Sequence, residues 1–342
     1  MFQRARVFGL YPRKGVLRVG ALGNPIAPIG LEQIEAARAR LAGQVVRTPL
    51  LRLPGDAPAT IYLKLENLQP IGSFKVRGAG NAMLAAGPER LLEGVYTASA
   101  GNMAQGVAWM ASRLGIPAAA IVPDHAPQTK LRAIERLGAR AVKVPFDDWW
   151  SVITGDRQPD LPGRFIHPVA DPDVMAGNGT IGLEIMDDLP EVDAVLVPFG
   201  GGGLSCGIAS AIRAKRPGVK VFACEVDTAA PLAASWAAGA PQPVSYHPSF
   251  VDGIGGKSVL PGMWPLARAL LAGSLVVSLT QVAEAIRLLV ERMRVVAEGA
   301  GAAGVAAALA GKAGTGQVVC VVSGGNIDAD RLVRILQGQT PA

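Results

Sequence analysis

The stretch VLVPFGGGGLSCGIASAI, residues 195–212, decides the fold class. A β-branched apolar run meets four consecutive glycines and then an Ala-rich stretch with an apolar face at helical spacing, which is the pattern strand, loop, helix. No GK[ST] follows the glycines, so the loop is not a Walker-type nucleotide site. Without Cβ atoms, successive backbone N–H groups can converge on an anion, and the helix N-terminus adds its partial positive charge. Gly200, Gly201, Gly202, Gly203 and Leu204 are therefore candidates for a phosphate cradle. The uncharged stretch 194–212 has the length of a membrane span, but Pro198 and the glycines break it, and no membrane partner is expected.

Outward from this unit the alternation repeats. Short apolar runs at 61–65, 94–97, 118–122, 141–144, 194–198, 219–224 and 317–322 predict strands. Segments 101–114, 128–137, 204–214 and 281–296 predict amphipathic helices. Strands alternating with helices make an α/β protein with parallel sheets. Residues 94–167 hold a full set of strand and helix units and end in HPVADPDV. They are expected to form a small α/β domain inserted in a large one built from 31–93 and 168–342.

With 50% apolar and 18% charged residues, the 342-residue chain is globular and long enough for one large or two ordinary domains. Its net charge of +6 is concentrated in Arg4, Arg6, Arg13, Lys14 and Arg18, while basic and acidic residues interleave elsewhere; no nucleic-acid partner is expected. Segment 1–30 has no acidic residue, no Ser and no apolar h-region. A flexible extension, or a start placed too far upstream, is expected there rather than a transit peptide. Cys206, Cys224 and Cys320 lie apart in apolar surroundings, which suggests neither a metal cluster nor disulfides and suits a reducing cytoplasm.

Three further stretches carry chemistry. In LENLQPIGSFKVRGA, residues 65–79, Lys75 follows a Gly-Ser-Phe turn and precedes an apolar, Ala-rich helix. Read alone it is an exposed lysine; flanked by Phe74 and Val76 it is partly desolvated, which favours the neutral amine. In TASAGNMAQGVA, residues 97–108, a strand end turns through Ser99, Ala100, Gly101 and Asn102 into a helix, a place for a carboxylate or simply an N-cap by Ser99. In VVCVVSGGN, residues 318–326, a buried strand ends at Ser323, whose hydroxyl can contact a ring nitrogen or merely form a turn. A literal GxGxxG at 299–304 follows a helix instead of a strand, so it is not expected to bind a dinucleotide.

GSFKVRGA, SAGN-x-AQG, GGGGL and SGGN, in this order, resemble the fold-type II enzymes that use pyridoxal 5′-phosphate (PLP), and most closely the threonine/serine dehydratase and serine racemase family. The resemblance covers roughly residues 29–331. It implies a tryptophan synthase β-like fold with two doubly wound α/β domains, and a Schiff base on Lys75 with Phe74 against the cofactor ring. It also implies Asn102 on the ring hydroxyl, Gly200 to Leu204 on the phosphate and Ser323 at the pyridine nitrogen. Ser99, Ala100, Gly101 and Asn102 would meet the substrate carboxylate, and Gly253 and Glu298 would line the site. The implied reaction is elimination from an L-β-hydroxy amino acid such as threonine, serine or phenylserine, giving a 2-oxo acid and ammonia. A homodimer is implied as well.

Single positions separate the alternatives inside the family. Serine racemases place a second acid/base Ser before the glycine of the SxGN loop; Ala100 stands there and favours the lyase over the racemase. SFKVR and SAGNMAQG point away from the SxKDR and TSGNTG motifs of β-replacement enzymes. Of the divalent-metal site in some relatives, Glu225 and Ala229 are present but Pro231 replaces the second carboxylate, so no metal is expected. Met103 replaces the family's usual His. The chain ends soon after SGGNID, and no C-terminal regulatory domain is expected.

Overall fold

The computed structural model describes residues 25–157 and 159–341. It contains a six-stranded and a four-stranded sheet. The strands, in chain order, are β1 (Leu50–Arg52), β2 (Thr60–Lys64), β3 (Val95–Ala98), β4 (Ala118–Pro123) and β5 (Arg140–Val144), then β6 (Arg164–Phe165), β7 (Ala194–Pro198), β8 (Lys220–Val226), β9 (Gly273–Val277) and β10 (Gln317–Val321). The large sheet runs β1-β2-β10-β7-β8-β9 and the small one β5-β4-β3-β6. Among the described strands β1 pairs antiparallel with β2, and the other strand pairings are parallel.

Both faces of the large sheet are covered, and strand parity shows how. Val195, Val197, Val221, Ala223, Val319 and Val321 enter one apolar core, while Ala194, Leu196, Cys224, Val226, Val318 and Cys320 enter the other. Alternation to two buried faces is why these strands read as unbroken apolar runs. The small sheet does the same, with Ala120 and Val122 on one side and Tyr96, Ala98 and Ile121 on the other. This is the doubly wound α/β architecture expected.

The helices are α1 (Leu31–Leu41), α2 (Lys75–Ala86), α3 (Asn102–Leu114), α4 (Gln128–Arg136), α5 (Phe146–Thr154) and α6 (Pro172–Asp188), followed by α7 (Gly203–Lys215), α8 (Pro231–Ala238), α9 (Trp264–Leu270), α10 (Leu279–Leu288), α11 (Gly299–Leu309) and α12 (Ala329–Leu336). α6 and α7 lie so close that a Cβ on Gly207 would sit 2.4 Å from the Met175 carbonyl oxygen. The GxGxxG glycines serve the same end. They open α11, where a Cβ on Gly301 would come within 2.4 Å of the Gly324 carbonyl oxygen and one on Gly304 within 3.2 Å of that of Leu196.

Two expectations need correction. The helix expected over 281–296 stops early: α10 gives way to a wider turn at Leu289–Met293, and Arg294 closes it in the left-handed region at φ 59°. The extension expected to be flexible over 1–30 is anchored at its end, where the Ile26 amide donates to Gly262 and the buried Ile29 donates its amide to the Ser210 hydroxyl. Residues 1–24 lie outside the described residues.

Candidate active site

The segments that follow β2, β3, β7 and β10 meet through hydrogen bonds and close backbone contacts, at the carboxyl ends of the strands where parallel α/β sheets form their ligand clefts. Lys75 is the first residue of α2. Its Nζ donates to the Pro168 carbonyl at 3.0 Å and lies 5.2 Å from the centre of the Phe74 ring. Burial lowers its pKa from the ordinary 10.5 to about 8, against the opposing pull of Glu298. The Phe74 amide donates to the Ser323 carbonyl at 3.0 Å, which ties the end of β10 to the lysine turn.

Beneath α2 lies a buried charge network. The Arg77 guanidinium donates to Glu66 at 2.8 Å and to Glu184 at 2.7 Å, and Lys64 reaches Glu184 at 2.6 Å. Two cations and two carboxylates thus compensate one another with nearly every donor engaged, as buried charges require. The result is a fixed first turn for α2, two residues from Lys75.

The β3 loop closes the cleft from the small sheet. Gly101, not Ser99, is the N-cap residue of α3; the Ser99 hydroxyl instead accepts the Gly101 amide at 3.1 Å. Asn102 donates from Nδ2 to Glu298 Oε1 at 2.9 Å and accepts from Asn326 Nδ2 at 2.8 Å. Burial pushes the Glu298 carboxyl up to about 7 despite the Asn102 hydrogen bond. Gly253 and Gly324 crowd the same carboxyl: a Cβ on either would approach Glu298 Oε1, at 3.5 and 2.5 Å. Met103 turns away and joins the core with Met83, Val107 and Met110, which accounts for an apolar side chain there.

The glycine loop leads β7 into α7. Gly202, the residue before the helix, has φ +99° and offers no side-chain cap. A Cβ on Gly201 would meet Val169 Cγ1 at 2.6 Å, and one on Gly203 would meet the Val169 carbonyl oxygen at 2.6 Å. The helix start is thus left with amides that no side chain of its N-cap satisfies, a setting that suits an anion.

A family model described as "pyridoxal-phosphate dependent enzyme" matches residues 41–324. The chain belongs to this family. It is 42% identical over 315 residues to the L-threonine ammonia-lyase of Thermotoga maritima, covering 90% of this chain and 78% of that one. The processed form of threonine deaminase isoform 2 from Solanum lycopersicum matches at TM-score 0.80 and 30% identity, covering 95% and 98% of the two chains. Maize serine racemase matches at TM-score 0.80 and 31% identity, covering 91% and 98%.

The residues present fit the family's cofactor: an amine poised near neutrality, an uncapped helix start behind a glycine loop for the phosphate, and a buried Ser323 beside Phe74. Glu225 is engaged in another way. Its two carboxylate oxygens accept the Leu232 and Ala233 amides at 2.9 and 2.8 Å and cap α8, while the Ser274 hydroxyl adds a bond at 2.6 Å. Sequence reading overlooked Pro168, Val169 and Asn326. Each acts across the fold, through a carbonyl, a methyl contact or an amide with no local signature.

Proposed function

We propose that this chain is a threonine/serine-type ammonia-lyase that converts an L-β-hydroxy amino acid to a 2-oxo acid and ammonia. When bound, pyridoxal phosphate supplies a sink for the charge left at Cα once its proton is removed. Lys75 is the catalytic base. With a pKa of about 8 it is neutral in roughly one molecule in ten at pH 7, against fewer than one in a thousand for an ordinary lysine. Gly200 to Leu204 would hold the cofactor's phosphate through backbone amides, Phe74 would pack on the ring, Asn102 would meet the ring hydroxyl and Ser323 the ring nitrogen. Ser99 to Asn102 receive the substrate carboxylate, and Gly253 and Glu298 line the remaining wall.

Ala100 carries the choice of reaction. Inverting Cα needs proton delivery on both faces, and a methyl group at this loop position can deliver none. The likeness to maize serine racemase supports racemisation as the second reading. No helix among the described residues is long and apolar enough to cross a membrane, and the reading takes the chain as a cytoplasmic homodimer with residues 94–167 as an inserted domain.

The test offers L-threonine, L-serine, L-threo-phenylserine and 3-hydroxyaspartate in parallel to the cofactor-loaded protein. Release of 2-oxo acid and ammonia from any of them is expected and names the substrate. Silence on all four, with the cofactor bound, would overturn the lyase.

A further inference from the structure

The connection between β6 and α6 carries a histidine that the reaction above does not use. His167 is 1% exposed. Its Nδ1 accepts the backbone amides of Val169 at 3.0 Å and Ala170 at 2.8 Å, and its Nε2 lies 3.1 Å from the Ile153 carbonyl oxygen. A nitrogen that accepts two amides carries no proton of its own. The ring is therefore the neutral tautomer with its proton on Nε2, donated to Ile153. Burial, aided by the charge on Lys75, lowers its pKa to about 4 and keeps it neutral.

Between His167 and those two amides stands Pro168, which has no N–H and a fixed φ. Its carbonyl is the acceptor of the Lys75 amine at 3.0 Å. Val169 is also the residue on which Gly201 and Gly203 are seated, too close for either to carry a Cβ. One imidazole thus fixes both the acceptor of the amine and the seat of the glycine loop.

We propose that His167 is a positioning residue: as a fixed Nε2–H imidazole it clamps residues 168–170, so that the Pro168 carbonyl holds the Lys75 amine whenever that amine is free. The inference rests on Lys75 being the reactive amine. A long, flexible lysine stem loses rotamer entropy on being ordered, and a carbonyl held in place selects the conformer that keeps the nitrogen at the cleft. Because Ile153 belongs to α5, the clamp also ties this geometry to the four-stranded unit.

The test uses the full chain freed of cofactor, so that it does not depend on turnover. Acetylation of Lys75 as a function of pH, read by peptide mass spectrometry, gives the midpoint of the amine, expected near 8 in the unaltered chain. His167→Asn places Oδ1 where Nδ1 stood and keeps the acceptor. His167→Gln places its acceptor at the Nε2 position and leaves both amides unmet. The Asn variant is expected to keep the midpoint. The Gln variant is expected to lower it by about one unit, the size of one charge-assisted hydrogen bond. Glu298, the other charged group acting on Lys75, is unaltered in both.

An unchanged or raised midpoint in a folded Gln variant overturns the proposal. If neither variant folds, nitrogen NMR of the imidazole in the unaltered chain decides, since only three histidines need assignment. A bare Nδ1 and a protonated Nε2 between pH 5 and 8 are expected; a proton on Nδ1, or titration within that range, overturns it. These results are independent of the lyase assignment, which falls instead if Lys75→Ala remains active.

Discussion

Lys75, Glu298 and His167 all have ionisation equilibria displaced by burial toward the neutral form, to about 8, 7 and 4. Such displacement costs stability and is typical of sites that move protons. Lys75→Ala is expected to abolish both cofactor absorbance and 2-oxo acid release; a coloured, active variant would remove the lysine from its role. Because burial disfavours the ammonium, reaction of the free amine with added cofactor should rise with pH and level off above about 8 instead of 10.5, as stopped-flow absorbance would show. Ala100→Ser is expected to add measurable racemisation at Cα, followed by chiral chromatography. An optically pure residual substrate would show that position 100 does not separate the two reactions.

Among elements, what holds α2 in place matters most, because its first residue is the base of the proposed reaction. Arg77 is buried between Glu66 and Glu184, so Arg77→Ala would leave the buried Glu66 carboxylate without its cation, while Glu184 keeps Lys64. A loss of about 3–5 kcal/mol is expected in urea unfolding. Gly203→Ala pushes a methyl into the Val169 carbonyl, which backbone cannot easily yield. Weaker cofactor retention on dialysis is expected, with a loss of roughly 1–3 kcal/mol in stability. Sequence reading located the strands and helices around the site to within a residue or two, 194–198 without error. It passed over β1, β6 and β9, which all lie at sheet edges. Edge strands can be very short, as the two residues of β6 are, and lack the doubly buried apolar run that marks a central strand.

In the whole molecule, the two sheets are joined across the cleft by Asn102 to Glu298 and by Lys130 to Asp252 at 2.8 Å. The second pair is exposed and contributes about 1 kcal/mol at most. Acid should act through His167. The unfolded chain binds that proton near the ordinary 6.5 and the folded one only near 4, so this group withdraws stability as pH falls through that window, by roughly 3 kcal/mol in full. Glu298 acts in the opposite sense between 4.5 and 7, so the comparison must be with His167→Asn, whose unfolding free energy should fall less between pH 7 and pH 5. The order of apolar runs and glycines was enough to determine the α/β class, the glycine loop and Lys75 at the head of a helix, because periodicity and missing Cβ atoms act over a few neighbouring residues. Only the tertiary structure decided that Lys75 meets a carbonyl 93 residues away and Asn102 a carboxyl 196 residues away. Sheet order sets those partners, and burial between the sheets, which no local pattern encodes, sets their protonation.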